Sequence, residues 1–264
     1  MNEKWLKIGD SVLYRDDLET STAIIKISRE KQLNALNSSV ISCIEQALSE
    51  IEKNKKIRSV IVTGAGEKAF VAGADIKEFQ HFSENEAYNL SRTGKEKLFN
   101  KIANFSKPVV AAINGYALGG GLELALSCHI RIAVKEARLG LPECTLGIIP
   151  GYGATQRLPK IIGKGFAMEM ILTAKIIDAD YAYKIGLINH VVSSDELISK
   201  TLSITKLFNN TSPEALSLAI NSVNSCFLSD ADNIESRNFA SLFNTDNFKE
   251  GINAFIEKRK SNFD

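Results

Sequence analysis

Two glutamates stand beside glycine-rich stretches in this chain. Glu123 follows three consecutive glycines in INGYALGGGLELALS (113–127), and Glu143 lies in LPECTLGIIPGYGATQRLP (141–159). Glycines ahead of a helical pattern let a ligand approach the free N–H groups at a helix start, where the dipole end is positive. Such a place suits a developing oxyanion. Two carboxylates flanked by strand ends and glycine loops permit paired general acid–base chemistry. Taken singly, the triple glycine is equally a strand-to-helix turn that needs positive φ, and Glu123 is equally a helix-start acid favoured by the dipole.

A third stretch, TGAGEKAFVAGAD (63–75), contains a loose GxGxxA match directly after a strand pattern. A dinucleotide fold would need a helix, a second strand and an acid about 20 residues on. The chain instead runs into another small-residue turn, AFVAGAD, which argues against nucleotide binding. No GK[ST] is present, so a phosphate-binding loop of that kind is excluded.

These stretches need a scaffold, and the chain has the material for one. Its 264 residues are 44% hydrophobic and 24% charged, ordinary for a globular protein with a sizeable core. A net charge of +1 gives no basic field, so neither nucleic acid nor an anionic membrane is the expected partner. Cys43, Cys128, Cys144 and Cys226 form no CxxC and read as free thiols of a reducing compartment; the three histidines are dispersed and suggest no metal site. The N-terminus has neither an apolar signal core nor the acid-poor character of a transit peptide, and no run reaches transmembrane length. The expectation is a cytoplasmic protein.

Periodicity predicts strands at STAIIKIS, RSVIVTG, KPVVAAING, HIRIAV and GLINHVV. It predicts a helix over 38–54 with Val40, Ile41, Ile44, Leu48 and Ile51 on one face, a polar helical stretch over 84–103, and a helix from LELALS. Beyond residue 195 the pattern is helical only. Ser212-Pro213-Glu214 forms a helix start, and Phe248, Ile252, Phe255 and Ile256 form one apolar stripe. The expected organisation is a mixed α/β body over 1–195 and a helical region over 196–264, without a low-complexity linker or an internal sequence repeat.

AFVAGADIKEF, KPVVAAINGYALGGGLELALSCHIRIA and LGLPECTLGIIPGYGATQRLP together resemble the enoyl-CoA hydratase (crotonase) family, from about residue 12 to the C-terminus. The resemblance implies an α/β spiral of ββα units followed by a helical trimerisation domain, with trimers commonly paired into hexamers. It implies an oxyanion hole from the N–H groups of Ala74 and Gly120, with donors typically worth about 3–4 kcal/mol each. Glu123 and Glu143 match the two glutamates that hold the attacking water, and Gly151 matches a backbone group that helps to place it. The coenzyme A portion of an acyl-CoA thioester would lie along Ala72, Ala74 and Ile76. Lys31, Lys77, Phe255 and Lys258 match further positions near it. Coenzyme A enters as part of the substrate, with no separate cofactor and no metal. Asp75 reads as a turn-stabilising residue. Three departures stand out: His129 where aspartate is common, Ala154 in place of a glycine, and no proline before Lys31.

The expected reaction is hydration of a trans-2-enoyl-CoA to the (S)-3-hydroxyacyl-CoA, in fatty-acid β-oxidation or a related acyl-CoA pathway. A Δ3,Δ2-enoyl-CoA isomerase is the nearest rival; it needs one base, usually at the position of Glu143, so the presence of both acids favours the hydratase. A thioester hydrolase or a decarboxylase of the same family is disfavoured for the same reason. A non-catalytic or RNA-binding member is disfavoured by the intact acid pair and near-neutral charge. Acyl chain length is not encoded in these motifs, because segments such as 80–100 line the tail pocket.

Overall fold

The computed structural model describes residues 5–263. Segments such as SVIVTG and VVAAI are apolar or small throughout, which suits strands covered on both faces, and all their residues are buried. Among the described residues the strands are β1 (Leu6–Ile8), β2 (Val12–Asp17), β3 (Thr22–Ile27), β4 (Ser59–Gly64), β5 (Ala69–Val71), β6 (Val109–Ile113), β7 (Tyr116–Leu118), β8 (Ile130–Val134), β9 (Arg138–Gly140), β10 (Ile177–Asp178) and β11 (His190–Val192). A seven-stranded sheet runs β1-β2-β3-β4-β6-β8-β11, antiparallel as far as β3 and parallel beyond it. A four-stranded sheet runs β10-β9-β7-β5, with β5, β7 and β9 parallel.

This order contains a repeat. Three times in succession the chain adds a strand to the large sheet, then a short strand to the small sheet, then a helical segment. The units are β4–β5 with Ile76–Phe79, β6–β7 with Gly120–Ser127, and β8–β9 with the 3₁₀ turn Pro142–Leu146. The α/β spiral expected from the resemblance is present. Its small sheet was not visible in the periodicity, because strands of two or three residues are too short to show an alternation.

The expected helix over 38–54 spans Ser38–Lys53, and the five predicted apolar residues are buried. The polar stretch over 84–103 is a helix Glu84–Gly94 with a Ser83–Glu86 capping box, a π-helical turn Lys95–Phe99, and a last turn Asn100–Ala103. Ser212 caps the helix Pro213–Asn224 by accepting from the Ala215 N–H. Just past residue 195, the helix Leu197–Thr205 packs on the large sheet and buries Leu197, Thr201 and Thr205. Thr22 Oγ1 donates to Thr205 Oγ1 at 3.0 Å.

The last helix, Asp246–Glu257, turns Ala254 inward. Phe248 is half-buried against the Phe243 ring, at 4.4 Å between centroids. Ile252, Phe255 and Ile256 face outward, Phe255 with 83% of its surface exposed. Among the described residues no helix is long and apolar enough to cross a membrane.

Candidate active site

Parallel neighbours in a sheet end side by side, and the small sheet uses this to gather the chemistry. Val71 is in register with Ala117, and Leu118 with Gly140. The segments leaving β5, β7 and β9 therefore emerge together, carrying Ala74, then Gly120 and Glu123, then Glu143. Residues about 70 positions apart meet because successive repeats present the same point of the unit at one edge.

The first segment is held from below. Leu36 N–H donates to Gly73 O at 2.9 Å, and Asp75 N–H donates to Leu36 O at 2.7 Å. This bridge uses the groups on either side of Ala74 and turns the Ala74 N–H away from the ladder. Asp75 is ion-paired to Arg29 at 3.0 Å, which supports the expected turn-stabilising role. A Cβ built on Gly120 would lie 3.6 Å from the Ala74 nitrogen, so the two backbones face each other closely. Gly120 opens its helix, and its N–H has no intrahelical acceptor.

The neighbouring glycines have separate reasons. Gly119 has φ 51°, and a Cβ there would come within 2.8 Å of Glu143 Oε1, so the second carboxylate sits directly over it. Gly121 lies against β5: a Cβ would fall 1.9 Å from Val71 O. The helix can reach the small sheet only without a side chain at that position.

Glu123 is 1% exposed. Its Oε1 accepts from the Tyr152 N–H at 2.8 Å and from the Ala154 N–H at 2.9 Å. Ala154 is the first residue of the helix Ala154–Leu172, so the carboxylate also faces a positive helix end. Burial nevertheless dominates and pushes its pKa up to about 7; the Glu143 charge adds to this, while the two N–H groups and Arg157 oppose it. Glu143 is 9% exposed and is also held above the ordinary carboxylate range by burial. Its Oε2 is buried with no hydrogen-bond partner among the described residues. The pair thus differs: one carboxylate is cradled by donors, and the other presents an unsatisfied oxygen.

The structure brings Glu123, Glu143, Ala74 and Gly120 into one place, with Gly151 on the adjoining loop. The Gly151 carbonyl accepts from Ser91 Oγ at 2.6 Å. The N–H groups of Tyr152 and Ala154 were not singled out from the sequence, where the stretch reads as a glycine-rich turn and the resemblance points only to Gly151 within it. Arg157 was missed as well; its Nη1 donates to Tyr152 O at 3.0 Å and its Nη2 to Asn100 Oδ1 at 2.7 Å.

Lys31, on the turn Glu30–Gln32, and Ile76 and Lys77, on Ile76–Phe79, are exposed. Both elements adjoin the segment 72–75, where the half-buried Ala72 donates its N–H to Leu33 O. Phe255 and Lys258 stand apart: no hydrogen bond or ion pair among the described residues ties their side chains to these segments. His129 is structural. The Val109 N–H donates to its Nδ1 at 2.9 Å, which leaves Nε2–H to donate to Ala103 O at 3.1 Å. Burial lowers its pKa and keeps it neutral. Ala154 is fully buried, and its methyl group leaves the N–H contact to Glu123 intact.

Known proteins share this architecture. The sequence model described as enoyl-CoA hydratase/isomerase matches residues 17–264. A short-chain-enoyl-CoA hydratase of Clostridium acetobutylicum is 44% identical over 245 residues, covering 92% of this chain and 94% of that protein. A crotonyl-CoA hydratase of Syntrophomonas wolfei is 42% identical over 248 residues, covering 93% and 95%. The crystal structure of an enoyl-CoA hydratase from Bacillus anthracis superposes with a TM-score of 0.85 at 36% identity, covering 100% of this chain and 99% of that one. Similarity of this extent, in sequence and in fold, places the chain in the enoyl-CoA hydratase/isomerase family.

Proposed function

We propose that the protein is an enoyl-CoA hydratase, a hydro-lyase that adds water to a trans-2-enoyl-CoA and forms the (S)-3-hydroxyacyl-CoA. The observation that carries this reading is the pair of buried glutamates, Glu123 and Glu143, beside the facing backbones of Ala74 and Gly120. The Ala74 and Gly120 N–H groups donate to the thioester oxygen and stabilise the enolate charge as water attacks the β-carbon. Glu123, already accepting two N–H bonds, is the carboxylate that takes the proton of the water. Glu143, with an oxygen free of donors, holds the proton that goes to the α-carbon. The water's OH thus ends on the β-carbon, its proton on Glu123 and the Glu143 proton on the α-carbon; Glu143 is left ionised and Glu123 protonated, and return of one proton to Glu143 resets the pair. A carboxyl held near neutral pH by burial suits a group that exchanges a proton in the step. Gly151 N–H is the proposed third contact to the water.

The acyl-CoA lies along Ala72, Ala74 and Ile76, with Lys31 and Lys77 at its charged end. The names of the relatives from Clostridium and Syntrophomonas favour short enoyl chains, in β-oxidation or a related acyl-CoA pathway. Purified protein is expected to hydrate crotonyl-CoA with no added metal or nicotinamide, read as loss of the conjugated thioester absorbance. A folded protein that turns over no enoyl-CoA of any chain length would overturn the reading.

We also propose a trimer or a dimer of trimers. The support is the outward face of the last helix, with Ile252, Phe255 and Ile256 exposed in the single chain. Phe255 and Lys258 then border a coenzyme A site of an adjacent chain. Fully burying a phenylalanine contributes about 1.5–3 kcal/mol, so Phe255→Asp is expected to weaken assembly in sedimentation velocity and to lower activity with it. A fully active monomer at nanomolar concentration would refute both statements.

A further inference from the structure

The loop 150–154 does more than supply N–H groups to Glu123. Among the described residues the peptide bonds are trans, so in the unit joining Gly151 to Tyr152 the carbonyl and the N–H point in opposite directions. Ser91 Oγ donates to that carbonyl at 2.6 Å. The N–H on the other side donates to Glu123 Oε1 at 2.8 Å. A hydroxyl, one peptide and a carboxylate thus form a single chain of hydrogen bonds. Bonds in such a chain polarise one another, and in the low dielectric of a buried site the effect is larger than in water.

The hydroxyl comes from the helix Glu84–Gly94, which runs on into the π-helical turn Lys95–Phe99. The same stretch grips the loop again, because the Phe99 ring stacks on Tyr152 with centroids 4.6 Å apart and planes at 11°. We propose that Ser91 is a positioning residue for the hydration step: through the Gly151–Tyr152 peptide its hydroxyl sets how strongly the loop donates to Glu123, and so couples the helix Glu84–Gly94 to the proton-accepting carboxylate. Ser91 itself touches no reacting atom. The remaining charged or titratable groups that act on Glu123 are Glu143 from the 3₁₀ turn, Arg157 from the following helix and the Tyr152 phenol. Among the described residues, none of these groups hydrogen-bonds to the Ser91 side chain, which donates to the Gly151 carbonyl.

The catalytic meaning of this proposal rests on the hydratase reading, but its test reads the carboxyl directly. The full-length protein is labelled with carbon-13 at the glutamate carboxyls, and the Glu123 resonance is identified by its absence in Glu123→Gln. Its midpoint is then compared among wild type, Ser91→Ala and Ser91→Thr. Alanine favours the helix and keeps the fold while removing the donor. The expected result in Ser91→Ala is an upward shift of the Glu123 midpoint by about half a unit, because weaker donation disfavours the ionised form. Ser91→Thr restores the hydroxyl and returns the midpoint to the wild-type value. The acid limb of the crotonyl-CoA hydration profile moves in the same direction. An unchanged midpoint in Ser91→Ala, or an equal shift in Ser91→Thr, would overturn the proposal, since a purely structural contact moves stability and not this titration. Failure of wild type to hydrate any enoyl-CoA would remove the hydratase reading and leave the Ser91 coupling decided by the carboxyl titration.

Discussion

Glu123→Gln is expected to lower kcat for crotonyl-CoA hydration by about 10²–10⁴. Glutamine keeps the size of the side chain and an oxygen that can still accept from the Tyr152 and Ala154 N–H groups. It cannot take a proton from water. Hydration within a few-fold of wild type would make Glu123 a helix-start acid and return the chemistry to a single carboxylate. Residual isomerase activity with a Δ3-enoyl-CoA can survive in the variant, because that reaction needs only Glu143 as the base. The same substitution has an opposite effect on stability at higher pH. Burial raises the Glu123 pKa from 4.5 to about 7. Wild type therefore retains the full contribution of the protonated carboxyl below about 4.5 and loses it as pH rises through about 7. Glu123→Gln does not undergo this loss. Over that window the variant should gain stability relative to wild type on the order of 3 kcal/mol, read from urea unfolding at each pH. Parallel pH dependences of the two proteins would show that the fold leaves Glu123 at its ordinary pKa.

Gly121→Ala is expected to cost about 3 kcal/mol or more and to abolish activity with the fold's local order. The added methyl would meet Val71 O at 1.9 Å and the Val71 carbonyl carbon at 2.7 Å, both backbone atoms of a buried strand. Neither element can retreat easily. Val71, Leu122, Leu124 and Ala125 are fully buried, and a shift of the helix start would carry the Gly120 N–H away from Ala74. Gly165→Ala is the matched control, because nothing lies within 4 Å of a Cβ there. It should be neutral or stabilise by up to about 1 kcal/mol through helix propensity. Urea unfolding of both variants decides the matter, and an unfolding midpoint for Gly121→Ala equal to wild type would show that the helix does not sit this close to β5.

The long elements were legible from sequence because each carries its own period. The apolar face of Ser38–Lys53, the buried runs of β4 and β6 and the cap at Ser212 follow from local composition and are found where expected. Glu123 and Glu143 were also legible, through glycine-rich turns beside lone acids and through the resemblance those motifs carry. The repeat that brings them together was legible only through the resemblance and not from periodicity, since its three copies share geometry without sharing sequence, and the small sheet's strands are too short to show a period. The identity of the groups that hold Glu123 was hidden for a different reason. Backbone N–H groups carry no residue signature, so Tyr152 and Ala154 could be found only once the turn into the next helix was folded. The direction of the last helix was likewise a tertiary decision. Its stripe was visible as a pattern, but packing Ala254 inward left Ile252, Phe255 and Ile256 outside. The sequence by itself determined which side chains are acidic, which turns are flexible and which segments seek burial. Only the parallel pairing of β5, β7 and β9 determined that two of those acids share one buried site, and burial there is what raises both of their pKa values.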